Sequence, residues 1–435
     1  MMKFVYGGAF VSESELNKFG KELKVEVAKM NKVSKLDYFD DRASVNLSID
    51  KELIDKVKKV ILEKNKLNPE YIIVTGIGGS NLGTIAIQEA VLGKLYDHHS
   101  KPKILYADTV DSDSMYDILS ILEPLLKAKK EVIVNVVSKS GKTSETMANF
   151  EILVALLKEH KKEISKNIVV TSDFGSDLWN FAEKQGFSTL EIPHKVGGRY
   201  SVFSPVGLFP LGMLGIDLDE LLEGARKARK NSLENNVVKN LATLSALIQY
   251  IYYKKGQNIS DLFLFSNDLE SVGKWYRQLM GESLGKEKDN TGKNVLSGIT
   301  PIVSVGSTDL HSMAQLYLGG PRDKLTTFVS VENNRAVIDS PKLKEYEKII
   351  PAIAGKRLDE VMDAILLGVK KAFKKDKRPY IEIFLKDKSE ESIGEFLQFK
   401  MMEIMYLGFL MNVNPFDQPA VEKYKIETRK ILERK

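Results

Sequence analysis

Two loops in this chain have the residue types that grip an anion. The first, Gly76-Ile-Gly-Gly-Ser80, joins the apolar run Tyr71–Thr75 to a helical stretch reaching about Val91. A glycine-rich turn lets backbone N–H groups approach a ligand, and a helix N-terminus favours negative charge. The match to a dinucleotide fingerprint is partial. Asn81 stands at the third glycine position, the next glycine is Gly83, and Asp108 follows later than the ~20-residue spacing of a ribose-binding acid. A merely tight strand-to-helix turn fits the same residues. The second loop, Ser138-Lys-Ser-Gly-Lys-Thr-Ser-Glu-Thr146, also joins a strand to a helix. It resembles a P-loop at Gly141-Lys142-Thr143, but that motif's earlier glycine is Val136, so no nucleoside triphosphate cradle is expected. The hydroxyls of Ser138, Ser140 and Thr143 at a helix start, with Lys139 and Lys142 beside them, suit the terminal oxygens of a phosphate monoester. An N-cap with solvated lysines is the plainer alternative. Two such loops in one sheet point to a phosphorylated small molecule.

Trp275-Tyr-Arg-Gln-Leu-Met-Gly-Glu-Ser-Leu-Gly-Lys286 reads as a helix that puts Gln278 and Glu282, four apart, on one face with Trp275. Gly281 and Gly285 each cost the helix roughly 1 kcal/mol relative to Ala, so something is expected to approach closely there. An exposed Glu282–Lys286 pair is the bland reading. None of the five histidines has metal-ligand spacing. His311, in Gly306-Ser-Thr-Asp-Leu-His-Ser-Met-Ala-Gln315, falls where a strand ends and a helix begins, which is where open α/β sheets bind ligands. A capping or structural role suits it equally. Arg199 and Lys425, taken alone, read as surface charges.

These residues sit on an alternating framework. After an extended entry (Phe4 to Val11) and a helix from about Ser14, β-branched runs at 71–75, 103–107, 131–137 and 167–171 each lead into a helical stretch. A Gly- and Pro-rich junction, His194 to Leu214, precedes a long helical stretch from about Leu218 to Tyr253. Alternation resumes at 261–265, 300–306, 325–330 and 380–385. A helix from about Ser392 to Met411, the turn NPFDQPA and a Lys/Arg-rich helix close the chain. Strands alternating with helices predict an α/β fold with parallel-rich sheets. The expected organisation is an N-terminal extension and helix (1–45), a first α/β domain (46–195), and a second with a C-terminal helical arm (196–435).

Composition narrows the function. With 64 Lys+Arg against 59 Asp+Glu, the excess of +5 over 435 residues is too thin to predict nucleic-acid binding. Cysteine is absent, which excludes disulfides and thiol chemistry and suits the cytoplasm. No apolar run approaches the ~18 residues of a membrane span, and the N-terminus is a poor secretory signal.

Six segments together resemble the phosphoglucose isomerase family, in the family's order: GIGGSNLG, SKSGKTSET, VGGRYSVFSPVGL, WYRQLMGESLGK, STDLHSMAQL and NPFDQPAVEKYK. The resemblance implies two sugar-isomerase α/β domains and interconversion of glucose 6-phosphate and fructose 6-phosphate, a step of glycolysis and gluconeogenesis. It also implies a cis-enediolate and no metal or organic cofactor. By the same resemblance, Ser80, Ser138, Lys139, Ser140 and Thr143 hold the phosphate, with Gly79 supplying backbone approach beside Ser80. Glu282 is the catalytic base, Arg199 steadies the enediolate, and His311 and Lys425 serve ring opening. Gln278 and Gln418 contact the sugar. The family is generally a homodimer in which the histidine is lent across the interface. The chain departs from the family at Gly141, where an aromatic residue is frequent, at Ser140 in place of a common Thr, and at Ala420 in place of a glycine; Lys142 has no assigned role.

Three other readings share some of these features. A relative of wider scope would also accept mannose 6-phosphate through the same carboxylate. A non-catalytic sugar-phosphate sensor would need no proton-transfer base, so Glu282, Arg199 and His311 together argue against it. A dinucleotide oxidoreductase rests on the first loop and Asp108 alone, and NAD titration tests it.

Overall fold

The β-branched runs become strands because their side chains are buried on both faces of a sheet, as in the fully buried run Val132–Val137. The structure, a computed structural model, describes residues 2–35, 37–346 and 348–433. Its strands in chain order are β1 (Lys3–Val5), β2 (Tyr71–Thr75), β3 (Lys103–Ala107), β4 (Val132–Val137), β5 (Ile168–Ser172), β6 (Ser188–Glu191), β7 (Ile259–Leu264), β8 (Lys286–Lys288), β9 (Asn294–Ser297), β10 (Thr300–Val305), β11 (Lys324–Val331) and β12 (Tyr380–Leu385). They belong to two compact units, Val27–Leu233 and Met1–Glu26 with Glu234–Lys435.

In the Val27–Leu233 unit the sheet is wholly parallel, in the order β3-β2-β4-β5-β6. One face is covered by the helices Ser112–Lys127 and Ser144–His160, whose Ile118, Leu122, Phe150 and Leu153 meet Val132, Val134 and Ile168. The chain leaves β2 for β3 on one side and returns to β4 on the other. This reversal opens a crevice at the strand C-termini, the usual ligand site of such sheets. Both anion-competent loops follow the two strands that flank it, β2 and β4. The unit does not end at residue 195 as the sequence division has it. Helix Pro205–Met213 packs on helices Lys51–Asn65 and Leu82–Leu92 and on β2, and helix Leu218–Ser232 packs on the turn Ala43–Ile49. The Gly/Pro-rich junction is therefore part of this unit's core.

The other unit carries a sheet in the order β1-β12-β11-β7-β10, parallel except for β1, which runs antiparallel to β12 with Phe4 opposite Ile383. Its four parallel strands repeat the strand order of the first four in the other sheet, a kinship with no short sequence repeat behind it. Phe263, Phe265, Phe328, Phe373 and Tyr380 form its aromatic core. The stretch expected as one helix from 218 to 253 is two, Leu218–Ser232 and Leu241–Lys254. The second begins where Asn240 accepts a bond from the Thr243 N–H at 3.1 Å. The first long helix starts at Glu13 rather than Ser14, with Ser12 and Glu15 bonding reciprocally as a capping box.

A buried carboxylate, Glu403, binds three helices of this unit together. It accepts from Ser245 Oγ (2.6 Å) and Gln249 Nε2 (2.8 Å) on one helix and from Tyr276 Oη (2.6 Å) on another. Lys400, equally buried, donates from 2.9 Å and lies 4.7 Å from the Tyr276 ring centroid. Each carboxylate oxygen is matched by two donors, the condition under which a buried ion pair is tolerated. Tyr276 belongs to helix Glu270–Leu284, so this network fixes the helix that carries Gln278 and Glu282.

Asp261 on β7 is a second buried acid. Burial pushes its carboxyl up to about 7, against bonds from Ser304 (2.8 Å) and Thr326 (3.4 Å); Asp309 adds to the rise and Lys324 opposes it. The folded protein keeps this proton up to about pH 7, whereas an unfolded aspartate releases it near 3.9. Between those values the folded state binds more protons, so this group's contribution makes stability fall as pH rises from about 4 to 7 and then level off. Asp261→Asn is expected to flatten that slope and to raise the melting temperature at pH 8, with a gain of at most ~4 kcal/mol. Calorimetric melts of both proteins from pH 5 to 8 check this; an unchanged slope would contradict it.

Candidate active site

The loop after β2 turns through Gly78–Ser80, and the loop after β4 runs to the start of helix Ser144–His160. In the second loop Ser138 Oγ and Thr143 Oγ1 lie 3.3 Å apart. Thr143 occupies the N-cap position without making a side-chain cap bond, so its hydroxyl is not used as the plainer reading supposed. Nor is Lys139 solvated. Its ammonium donates to the carbonyls of His194 and of Val196 (2.9 Å), and burial lowers its pKa. It thereby pins the loop to the junction leading into Arg199. Asp173, beside it, is raised by burial and held back by the Lys139 charge. Lys142 does point outward, 3.1 Å from Asp177 in an exposed pair. Gly141 has φ +66°, and a Cβ there would meet Leu178 Cβ at 2.7 Å, so an aromatic side chain at this place does not suit this loop.

Arg199 is not a surface charge. It is only 2% exposed, in the turn Gly198–Tyr200, with its guanidinium 5.5 Å from the Tyr200 ring centroid. That turn packs backbone-to-backbone on the first loop: a Cβ on Gly79 would lie 2.3 Å from the Gly198 carbonyl carbon and 2.6 Å from Arg199 N. Ser201 Oγ bonds the Gly198 carbonyl at 2.7 Å. The structure thus gathers Gly79, Ser80, Ser138, Lys139, Ser140, Thr143 and Arg199 in the Val27–Leu233 unit. Asn81 Nδ2 donates to Asp108 at 3.2 Å, which ties the start of the helix after the first loop to the end of β3.

The other residues lie in the second unit. Gln278 Nε2 donates to Glu282 Oε1 at 3.1 Å, the contact that the four-residue spacing predicts. The exposed Glu282–Lys286 pair is not what forms. Lys286 is buried, and its ammonium reaches the main-chain carbonyl of Glu282 at 2.7 Å and that of Asp417 at 2.6 Å. Gln418, next in the chain, is exposed at the entry to helix Val421–Glu433, where half-exposed Lys425 donates to Glu422 at 3.0 Å. Val421 N–H bonds the Gln418 carbonyl at 3.1 Å, so the turn holds its shape with Ala420 in place. His311 stands on a separate loop after β10. It is exposed, and the loop is fixed by Asp309, which accepts from Val305 N (2.7 Å) and Ser312 Oγ (2.9 Å).

Two features escaped the sequence reading. One is the role of Lys286, which no local pattern signals. The other is a groove of about 1140 Å³ along β6, walled by Phe39, Phe174, Trp179 and Phe187, whose lining includes none of the site residues chosen from sequence. Among the described residues no group of three or more acidic or histidine side chains could hold a metal, and no helix is long and apolar enough to cross a membrane.

Fold and loops together define an α/β protein of the sugar-isomerase type, and the comparisons specify it. The family model for phosphoglucose isomerase matches residues 51–435. A probable glucose-6-phosphate isomerase of Methanococcus maripaludis is 36% identical over 363 residues, covering 83% of this chain and 78% of that one. Among solved structures, a hypothetical protein of Thermus thermophilus superimposes with TM-score 0.89 at 32% identity, over 99% of this chain and all of the other. A glucose-6-phosphate isomerase of Chlamydia trachomatis does so with TM-score 0.84 at 21% identity, over 99% and 88%, a likeness of fold. The chain belongs to the phosphoglucose isomerase family and is an enzyme of the aldose–ketose isomerase class.

Proposed function

We propose that this enzyme interconverts glucose 6-phosphate and fructose 6-phosphate, with Glu282 moving one proton between C1 and C2 of the open-chain sugar through a cis-enediolate. The observation that carries the reading is Glu282 itself, a carboxylate on a helix anchored by the Glu403 network and oriented by the Gln278 amide. A sensor has no use for such a group; an isomerase requires it. Ser80, Ser138, Ser140 and Thr143 take the phosphate, with backbone approach at Gly79 and with Lys139 securing the loop. Arg199, with its guanidinium buried, offsets the negative enediolate. His311 and Lys425 handle the ring oxygen and its hydroxyl, and Gln278 and Gln418 hold the sugar. No cofactor takes part.

The working form in this reading is a cytoplasmic homodimer in which each His311 serves the partner's site. The exposure of His311 supports it, as do the outward apolar side chains of the C-terminal helix (Tyr424, Ile431, Leu432) and of the segment after β11 (Ile338, Ile349, Ile350). Light scattering across a dilution series tests the dimer. The reaction is tested by supplying fructose 6-phosphate and detecting glucose 6-phosphate through an added NADP-linked dehydrogenase. Product formation is expected; substrate binding without product would favour the sensor.

A further inference from the structure

Lys286 opens β8 just past Gly285, the C-cap of helix Glu270–Leu284, with only 5% of its side chain exposed. An ammonium this deeply placed must have its protons matched. It lies 2.7 Å from the Glu282 carbonyl, 2.6 Å from the Asp417 carbonyl and 3.2 Å from Asp417 Oδ1. Asp417 is held from its other side as well, since Oδ2 accepts from Asn414 Nδ2 at 3.1 Å. The remainder of the β8–β9 hairpin grips the same stretch of chain. Asn290 N–H bonds the Asn412 carbonyl at 2.9 Å, Asn412 Nδ2 donates to Asp289 at 3.2 Å, and Lys423 donates to Glu287 at 3.0 Å. These outer contacts are exposed and weak individually. Lys286, by contrast, is buried, and it contacts the residue immediately before Gln418.

We propose that Lys286 is a positioning residue of the isomerase, a pin that sets Gln418 and the turn leading to Lys425 in fixed register with Glu282. The inference rests on the reading of Glu282 as the base. In this role Lys286 acts through the residues it holds and not on the sugar itself. Its effect comes from holding two groups that must act on one substrate at a constant separation, and misplacement by about 1 Å is enough to cost ~10²-fold in rate.

The test compares the full-length protein with Lys286→Met, which matches the stem in volume and removes the donors. Steady-state kinetics on fructose 6-phosphate, a thermal melt and amide hydrogen exchange are read on each. The expected result is a kcat lower by ~10–100-fold with KM changed less than about threefold, and faster exchange confined to residues 412–420. A folded variant with native kcat overturns the proposal. So does a fall in kcat with exchange at 412–420 unchanged, since the pin would then not be the cause. If Lys286→Met does not fold, Lys286→Gln, which keeps a shorter donor, is read in the same way. Failure of the native protein to turn over the sugar counts against the proposed function instead, and the exchange comparison still decides whether Lys286 holds the turn.

Discussion

Glu282→Gln is expected to retain the fold and to bind fructose 6-phosphate, while kcat falls by ~10²–10⁴ or more. The substitution is nearly isosteric. Its amide oxygen can still accept the Gln278 Nε2 bond seen at 3.1 Å, so the helix turn has no reason to move. On the proposed role of Glu282, what disappears is the capacity to take a proton from carbon and return it to the neighbouring carbon. A loss of ~10³ corresponds to ~4 kcal/mol of transition-state stabilisation. Because the change falls on a step after binding, KM is expected to alter little. Coupled-assay kinetics beside calorimetric binding of the sugar phosphate separate the two quantities. Full activity in the variant would remove Glu282 from the mechanism, and a loss of binding equal to the loss of rate would make it a binding group only.

The parallel strands were legible because a central strand buried on both faces needs an unbroken β-branched run, and few other structures use one. β6 lacked that signal: Ser188–Glu191 is a short edge strand in which only Leu190 is buried. The β8–β9 hairpin is mostly exposed and lysine-rich, with no period to betray it. β1 was readable as extended, but its partner β12 lies far along the chain, with Lys3 opposite Phe384, and pairing at that range is a property of the tertiary fold. The residues of the two proposed phosphate loops were visible for a local reason, since glycine and hydroxyl clusters between strand and helix are few in this chain. Burial is not local, which is why Arg199, taken alone, read as a surface charge and an exposed pair with Glu282 was the bland reading of Lys286. The break at 233–240 could have been found, because the Asn-rich LENNVVKN stretch ends in a good cap.

Gly79→Ala is expected to damage activity through a single added methyl group. Glycine here is required by contact and not by dihedral angle. The added carbon would lie 2.3 Å from the Gly198 carbonyl carbon, 2.5 Å from its oxygen and 2.6 Å from Arg199 N. All three are main-chain atoms, so no side chain can rotate away, and the two turns must separate. Overpacking of this kind costs typically ~1–3 kcal/mol. A catalytic loss is expected beside the loss of stability. The turn that must yield carries Arg199, and the turn that pushes it carries Ser80, so the proposed phosphate grip and the proposed enediolate cation shift together. A displacement near ~1 Å corresponds to ~10²-fold in kcat/KM. Gly368→Ala is the matched control: it lies on an exposed face of helix Leu358–Lys375 with nothing within 4 Å of the new carbon, and is expected to stabilise the fold by ~0.5–1 kcal/mol without touching activity. Melting temperatures and kcat/KM for both variants decide the matter. Native kcat/KM in Gly79→Ala would show that these loops can part freely, and the close backbone contact would then have no part in holding the phosphate.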